Sequence, residues 1–171
     1  MSASDEKRWP GVERRRKAGR RSGKDRRDEA AWVPVPLDGP SSTEGALIEA
    51  ARRARQHARA DYSRFEVGAA LELVDGSIVT GCNVENASYG LTICAERVAL
   101  VKALSDGQKT FTRIAVVANT QTPTPPCGAC RQLLWEYCGD IEVILANLQG
   151  PTARHRLSAL LPLPFDNRLL K

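Results

Sequence analysis

The sequence has no long apolar run. Its hydrophobic stretches are a few residues each, far short of the roughly 20 that a membrane-spanning helix needs. No apolar segment follows the charged N-terminus, so a secretory leader is not expected. Beyond residue 30 the chain also lacks an excess of either charge. Residues 1–30 hold eleven Lys/Arg and six Asp/Glu, residues 31–171 hold fourteen of each, and the whole net charge of +5 sits in the leading segment. A generally basic surface is thus not the means by which the remainder recognises a partner. Without an export signal, the five cysteines at 82, 94, 127, 130 and 138 are expected as reduced thiols in a cytoplasmic compartment. There, such spacings mark metal or catalytic sites more often than disulfides.

What is present divides at about residue 42. Residues 1–30 are polar and basic, with Arg14-Arg15-Arg16-Lys17, Arg20-Arg21 and Arg26-Arg27 and no apolar periodicity. This segment is expected to be disordered, either as an arm that touches nucleic acid or a partner or as a solubilising extension. Val33-Pro34-Val35-Pro36 and Gly39-Pro40 read as a linker, which leaves 43–171 as the folded domain. Thr43 can cap a helix in which Leu47, Ile48, Ala51, Ala54 and Ala58 recur at helical spacing to about Ala60. Phe65–Val74 alternates and meets Asp75-Gly76, a hairpin signal, with Ser77 to about Val84 returning. Helices are expected over Thr92–Leu104 and Cys127–Tyr137, strands over Ile114–Ala118 and Ile141–Ala146, and a short helix from Ser158 to Leu161. The order α-β-β-α-β-α-β predicts an α/β fold of three layers, with helices packed on a mixed sheet.

The chemistry concentrates in two places. Cys127-Gly128-Ala129-Cys130 opens a helix just after Pro125-Pro126, and i,i+3 spacing puts both sulfurs on one face of the first turn. Alone, the motif fits half of a structural zinc site or a redox pair. Cys94-Ala95-Glu96 begins another helix. If the two helices lie side by side, three thiolates can converge on one metal, favoured by the unpaired N–H groups of both helix starts and by Arg97. Three protein ligands leave a fourth tetrahedral position open, the mark of a catalytic zinc. Glu96, two residues from Cys94, is placed to flank the metal and move protons. A structural reading would need a fourth ligand from Cys82, Cys138, His57 or His155, and would leave Glu96 idle. Both histidines sit in Arg-rich stretches and read as solvated, and Cys82 and Cys138 read as small half-buried hydrophobes. Trp135 and Tyr137 read as packing.

These motifs resemble the small, three-cysteine cytidine deaminases. Cys94-Ala-Glu96 with Pro126-Cys127-Gly-Ala-Cys130 is similar to the zinc-deaminase signature. Four further stretches also resemble family motifs in order: Tyr62-Ser-Arg-Phe65-Glu-Val-Gly-Ala-Ala, Gly81-Cys-Asn83-Val-Glu85-Asn-Ala-Ser-Tyr89, Arg131-Gln132 and Leu160-Leu-Pro-Leu-Pro-Phe165. The likeness covers about residues 44–166.

The resemblance implies a three-layer α-β-α fold on a mixed five-stranded sheet, one Zn²⁺ per subunit on Cys94, Cys127 and Cys130, and Glu96 as proton shuttle. It places Asn83 and Glu85 on the ribose, Phe65 on the pyrimidine and the Ala95 N–H on the ring carbonyl, with Arg97 and Gln132 in support. It further implies a homotetramer in which Ala87, Tyr89 and Phe165 reach neighbouring pockets. The implied reaction is hydrolysis of cytidine or deoxycytidine, a small-molecule nucleoside substrate, with no membrane partner. Three alternatives remain: a polynucleotide deaminase guided by the basic arm, a deaminase of a cytosine-containing antibiotic such as blasticidin, and a non-catalytic zinc-stabilised binding module.

Overall fold

Three stretches carry apolar residues almost without interruption, so strands built from them must be covered on both faces. The computed structural model describes residues 43–150 and 152–170, and the arm and linker expected over 1–42 lie outside the described residues. The three stretches are β1 (Val67–Leu73), β3 (Phe111–Ala118) and β4 (Glu142–Asn147), the centre of a five-stranded sheet edged by β2 (Ile78–Cys82) and β5 (Thr152–Arg156). The strand order is β2-β1-β3-β4-β5. β3 and β4 run parallel, and the other neighbours pair antiparallel.

Strand alternation decides which helix each face receives. Ala70, Ala115, Val117, Ile144 and Ala146 pack against Leu47, Ala50 and Ala51 of α1 (Glu44–Arg55). The opposite set, including Ala69, Leu71, Ile114, Val116, Val143 and Leu145, packs against α2 (Ala95–Ser105), α3 (Gly128–Cys138) and α4 (Leu157–Leu160) through Ala99, Leu100, Ala103, Leu134 and Leu157. One helix covers one face and three cover the other, giving the expected three layers.

The differences from the sequence expectations have local causes. Thr43 does cap α1, its hydroxyl accepting from the Ala46 N–H at 3.2 Å, but the helix stops at Arg55 instead of continuing to Ala60. The Arg59 backbone is instead paired with residues 83–85: its N–H donates to the Asn83 carbonyl and its carbonyl accepts from the Glu85 N–H. β1 begins at Val67 rather than Phe65, because Asn83 binds the Phe65 carbonyl and the Val67 N–H through its side chain. The caps of α2 and α3 are Cys94 and Cys127 themselves, so neither helix begins as early as expected. β5 carries no apolar signature: Thr-Ala-Arg-His-Arg is an edge strand that faces water on most of its length. Tyr137, expected to pack, is exposed, whereas Trp135 does lie against the core. Among the described residues, no helix is long and apolar enough to cross a membrane.

Two glycines set the layer spacing. A Cβ at Gly68 would lie 2.0 Å from the Ala51 carbonyl oxygen of α1, and one at Gly81 would lie 2.4 Å from the Ala99 nitrogen and 2.5 Å from the Ala95 oxygen of α2. Backbone cannot yield as a side-chain tip can, so both positions require a bare Cα. Gly81 therefore fixes how closely the start of α2 sits on β2. Gly81→Ala is expected to cost about 1–3 kcal/mol from overpacking, read as a lowered urea midpoint, and to displace the α2 N-terminus.

Candidate active site

The parallel strand β3 ends at Ala118, and residues 119–127 carry the chain to the start of α3. Asn147, fully buried at the end of β4, holds this connection. Its amide donates to the carbonyls of Thr120 (3.0 Å) and Gln121 (3.1 Å), while its oxygen accepts from the N–H groups of Gln149 and Gly150. Across from it, the start of α2 lies against Gly81 near the end of β2. The two helix starts therefore meet at one end of the sheet. Cys94 and Cys127 occupy the cap positions with extended backbone (ψ 154° and 165°), and neither side chain caps its own helix.

The sulfurs of Cys94 and Cys127 are 3.8 Å apart, and those of Cys127 and Cys130 are 3.5 Å apart. Two thiolates on one tetrahedral zinc at about 2.3 Å sit about 3.8 Å from each other, so the spacing fits such an ion. Among the described residues the metal-capable group comprises these three cysteines. Cys82, Cys138, His57 and His155 are not part of it. The Arg97 guanidinium donates to the Thr92 carbonyl (2.9 Å) and lies 3.8 Å from the Cys94 sulfur. The bond between the Cys94 and Cys130 thiols, followed by those of Cys94 with Arg97 and Cys127, pulls the Cys94 thiol down to about 5. The same bond to Cys94, with burial, pushes the Cys130 thiol up.

Glu96 follows directly and is only 4% exposed. Burial pushes its carboxyl up to about 7, against the opposing effect of a bond from its own backbone N–H. Ala95 is the first residue of α2 and fully buried, so its N–H is one of those a helix start leaves without an intrahelical partner.

A second group forms around Asn83-Val84-Glu85. Val84 pairs reciprocally with Ile93, both N–H···O bonds being 2.9 Å. This ties the segment to the residue just before Cys94. The Asn83 oxygen accepts from the Val67 N–H and its amide donates to the Phe65 carbonyl, each at 2.8 Å. Glu85 accepts from the N–H groups of Tyr62 (2.8 Å) and Ser63 (3.1 Å) and from the Ser63 hydroxyl, which holds its carboxyl below the usual range, the Ser63 hydroxyl contributing most. Phe65 is 41% exposed and so is not a core residue. Tyr89, in a short 3-10 turn, meets Tyr62 edge to face with centroids 6.0 Å apart. Ala87 is exposed in the same connection.

Helix α3 also holds the C-terminal segment. Gln132 donates to the Phe165 carbonyl at 2.6 Å, and Trp135 donates to Asp166 at 3.4 Å. Arg131 carries a structural duty that motif spacing leaves unstated. Its guanidinium donates to the carbonyls of Pro126 and Leu160, both at 2.7 Å, and so ties the residue before Cys127 to the end of α4. Asn147 is equally unmarked in the sequence, and Ser63, although it lies in the Tyr62–Phe65 stretch, carries no signal of the bond it makes.

Residues 41–146 match the family model described as the cytidine and deoxycytidylate deaminase zinc-binding region. The cytidine deaminase of Halalkalibacterium halodurans is 56% identical over 120 residues, covering 70% of this chain and 91% of the relative. That of Sporosarcina psychrophila is 49% identical over 121 residues, covering 70% and 89%. The crystal structure of cytidine deaminase from Burkholderia pseudomallei superposes with a TM-score of 0.71 at 52% identity, covering 72% of this chain and all of that one.

Removing the Arg131 clamp strands two carbonyls beside the metal-capable turn. Arg131→Ala is expected to lower unfolding free energy by about 1–3 kcal/mol in urea titration, and to speed loss of bound metal to a chromophoric chelator. An unchanged release rate would show that Pro126 is held by other means.

Proposed function

The chain belongs to the cytidine and deoxycytidylate deaminase family and is a deaminase of the hydrolase class, and from that premise we propose that it converts cytidine and 2′-deoxycytidine to uridine and 2′-deoxyuridine with one zinc ion per chain. The observation that carries this is the buried Glu96 carboxyl next to three convergent sulfurs. Cys94, Cys127 and Cys130 would hold the ion. Zinc bound there supplies a water acidic enough to act as nucleophile near neutral pH.

The remaining steps fall to the chain's own groups. Glu96 accepts the proton of the attacking water and delivers it to ring N3, then carries a second proton so that ammonia leaves from C4. Its enclosure keeps these transfers away from bulk water. The Ala95 N–H holds the ring carbonyl, and Phe65 packs on the pyrimidine. Asn83 and Glu85 take a sugar hydroxyl, favouring a nucleoside over the free base. Arg97 offsets thiolate charge and Gln132 fixes the segment bearing Phe165.

Ala87, Tyr89 and Phe165 complete pockets of neighbouring copies in a homotetramer. Supporting this, Tyr89 is 74% exposed and Phe165 59% exposed, a surface that costs less when covered by another subunit. The chain works in the cytoplasm, in pyrimidine salvage.

Incubating the purified protein with cytidine, deoxycytidine, blasticidin S, tRNA and single-stranded DNA, and following loss of the exocyclic amine, separates the nucleoside reading from the antibiotic and polynucleotide ones. Glu96→Gln is expected to retain one zinc by metal analysis and to lose about 10²–10⁴-fold in kcat. A variant that remains fully active removes Glu96 from the proton path. Zinc retained with no turnover of any substrate by the unaltered chain would favour a binding module.

A further inference from the structure

Between the residues assigned to the sugar and the aromatic assigned to the base lies a side chain with no role so far. Resting on the reading of Glu85 and Phe65 given above, we propose that Ser63 is a positioning residue whose hydroxyl joins sugar recognition and base stacking into one unit. It donates to one Glu85 carboxylate oxygen and accepts from the Phe65 N–H at 2.9 Å. The other end of Phe65 is held just as firmly, its carbonyl taking a 2.8 Å bond from the Asn83 amide. Both sides of the Phe65 peptide therefore end on the Asn83–Glu85 pair, directly on one side and through Ser63 on the other.

The segment between them needs such holding. Arg64 adopts φ 56°, a left-handed conformation unfavourable for a residue with a Cβ, which persists only where neighbours over-determine it. Its N–H bonds the Ala60 carbonyl at 2.9 Å, and on the other flank Tyr62 N–H, Ser63 N–H and Ser63 hydroxyl converge on Glu85. A carboxylate offers about four acceptor sites. With three filled from this segment, about one remains for a sugar hydroxyl, and its direction is already set. Glu85 thus meets substrate ionised and oriented, and its binding energy does not go into ordering the loop. Tyr62, Ser63 and Glu85, with Tyr89 and Thr92, line an open cavity of about 310 Å³.

A hydroxyl that positions two substrate-binding groups should act on KM rather than on the chemical step. Full-length Ser63→Ala is expected to raise KM for cytidine about 10–100-fold, the worth of a bond to a charged group. Zinc content should be unchanged and kcat should move by no more than about 2-fold. Ser63→Thr keeps the hydroxyl and should restore KM. In the Ser63→Ala/Glu85→Gln double variant the KM increases should fall well short of additive. A Ser63→Ala KM at the unaltered value, with Glu85→Gln still raising it, would overturn the coupling and leave the sugar assignment intact. If Glu85→Gln leaves KM unchanged, the sugar assignment fails and the proposal falls with it. A loss of zinc and kcat in Ser63→Ala that Ser63→Thr does not repair would mark a merely structural serine and overturn it.

Discussion

Three sulfurs converge closely enough to share a single ion, and the two helix starts that deliver them belong to different parts of the chain. Like-charged thiolates repel, so nothing in the cysteines themselves would keep this arrangement. It is imposed by rigid elements. The bare Cα of Gly81 lets α2 lie directly on β2, which fixes Cys94. Asn147 and Arg131 hold the connection from β3 to α3 at its two ends, which fixes Cys127 and Cys130. The amides of both helix starts and the Arg97 guanidinium then supply the positive field that makes the cluster tolerable. The three sulfurs are thus gathered by the fold itself.

The same economy governs the neighbouring group. Asn83 and Glu85 each spend part of their hydrogen-bonding capacity on backbone of residues 62–67. An amide with one donor and one acceptor engaged still has one of each to offer, and a carboxylate with three acceptor sites filled still has about one. Structural use therefore leaves capacity for a ligand: a side chain already bonded on one side has fewer rotamers to lose when one arrives. The reciprocal pairing of Val84 with Ile93 extends this order to the approach of Cys94, so the two groups are parts of one hydrogen-bonded framework.

Much of this was legible in the sequence, and the reasons for the rest are physical. The convergence of the three cysteines was legible because their residue type and spacing at two helix starts already placed them together. The central strands declare themselves because both of their faces are buried. Thr43 and Asp75-Gly76 are local signals, satisfied locally: the hydroxyl caps α1, and Gly76 sits at φ 83° with Ser77 bonded back to Asp75. β5 escapes notice because an edge strand can be solvated on most of its length, so Thr152–Arg156 shows neither an apolar face nor a period. The early end of α1 escapes for a different reason. Ala58 continues the helical period, but the Arg59 backbone finds its partners in residues 83–85, and contacts that distant in sequence leave no trace in a local pattern.

The residues most hidden from sequence reading are those whose work is to bond backbone. Asn147 and Arg131 satisfy main-chain groups of another segment and Ser63 that of Phe65, and the sequence shows the residue without the bond. Their importance follows from the geometry they enforce. A metal-capable triad tolerates displacements of only a few tenths of an ångström before one sulfur leaves the coordination sphere. A carboxylate that moves protons is as exacting about the distance to its partner. Irregular connections are the least rigid parts of a fold, yet here they carry Cys127, Phe65 and Glu85. The bonds that stitch those connections to strands and helices let loop-borne groups be placed with the precision of the sheet. Accuracy at the site is thus bought with backbone hydrogen bonds, and the chemically active residues need only be of the right kind.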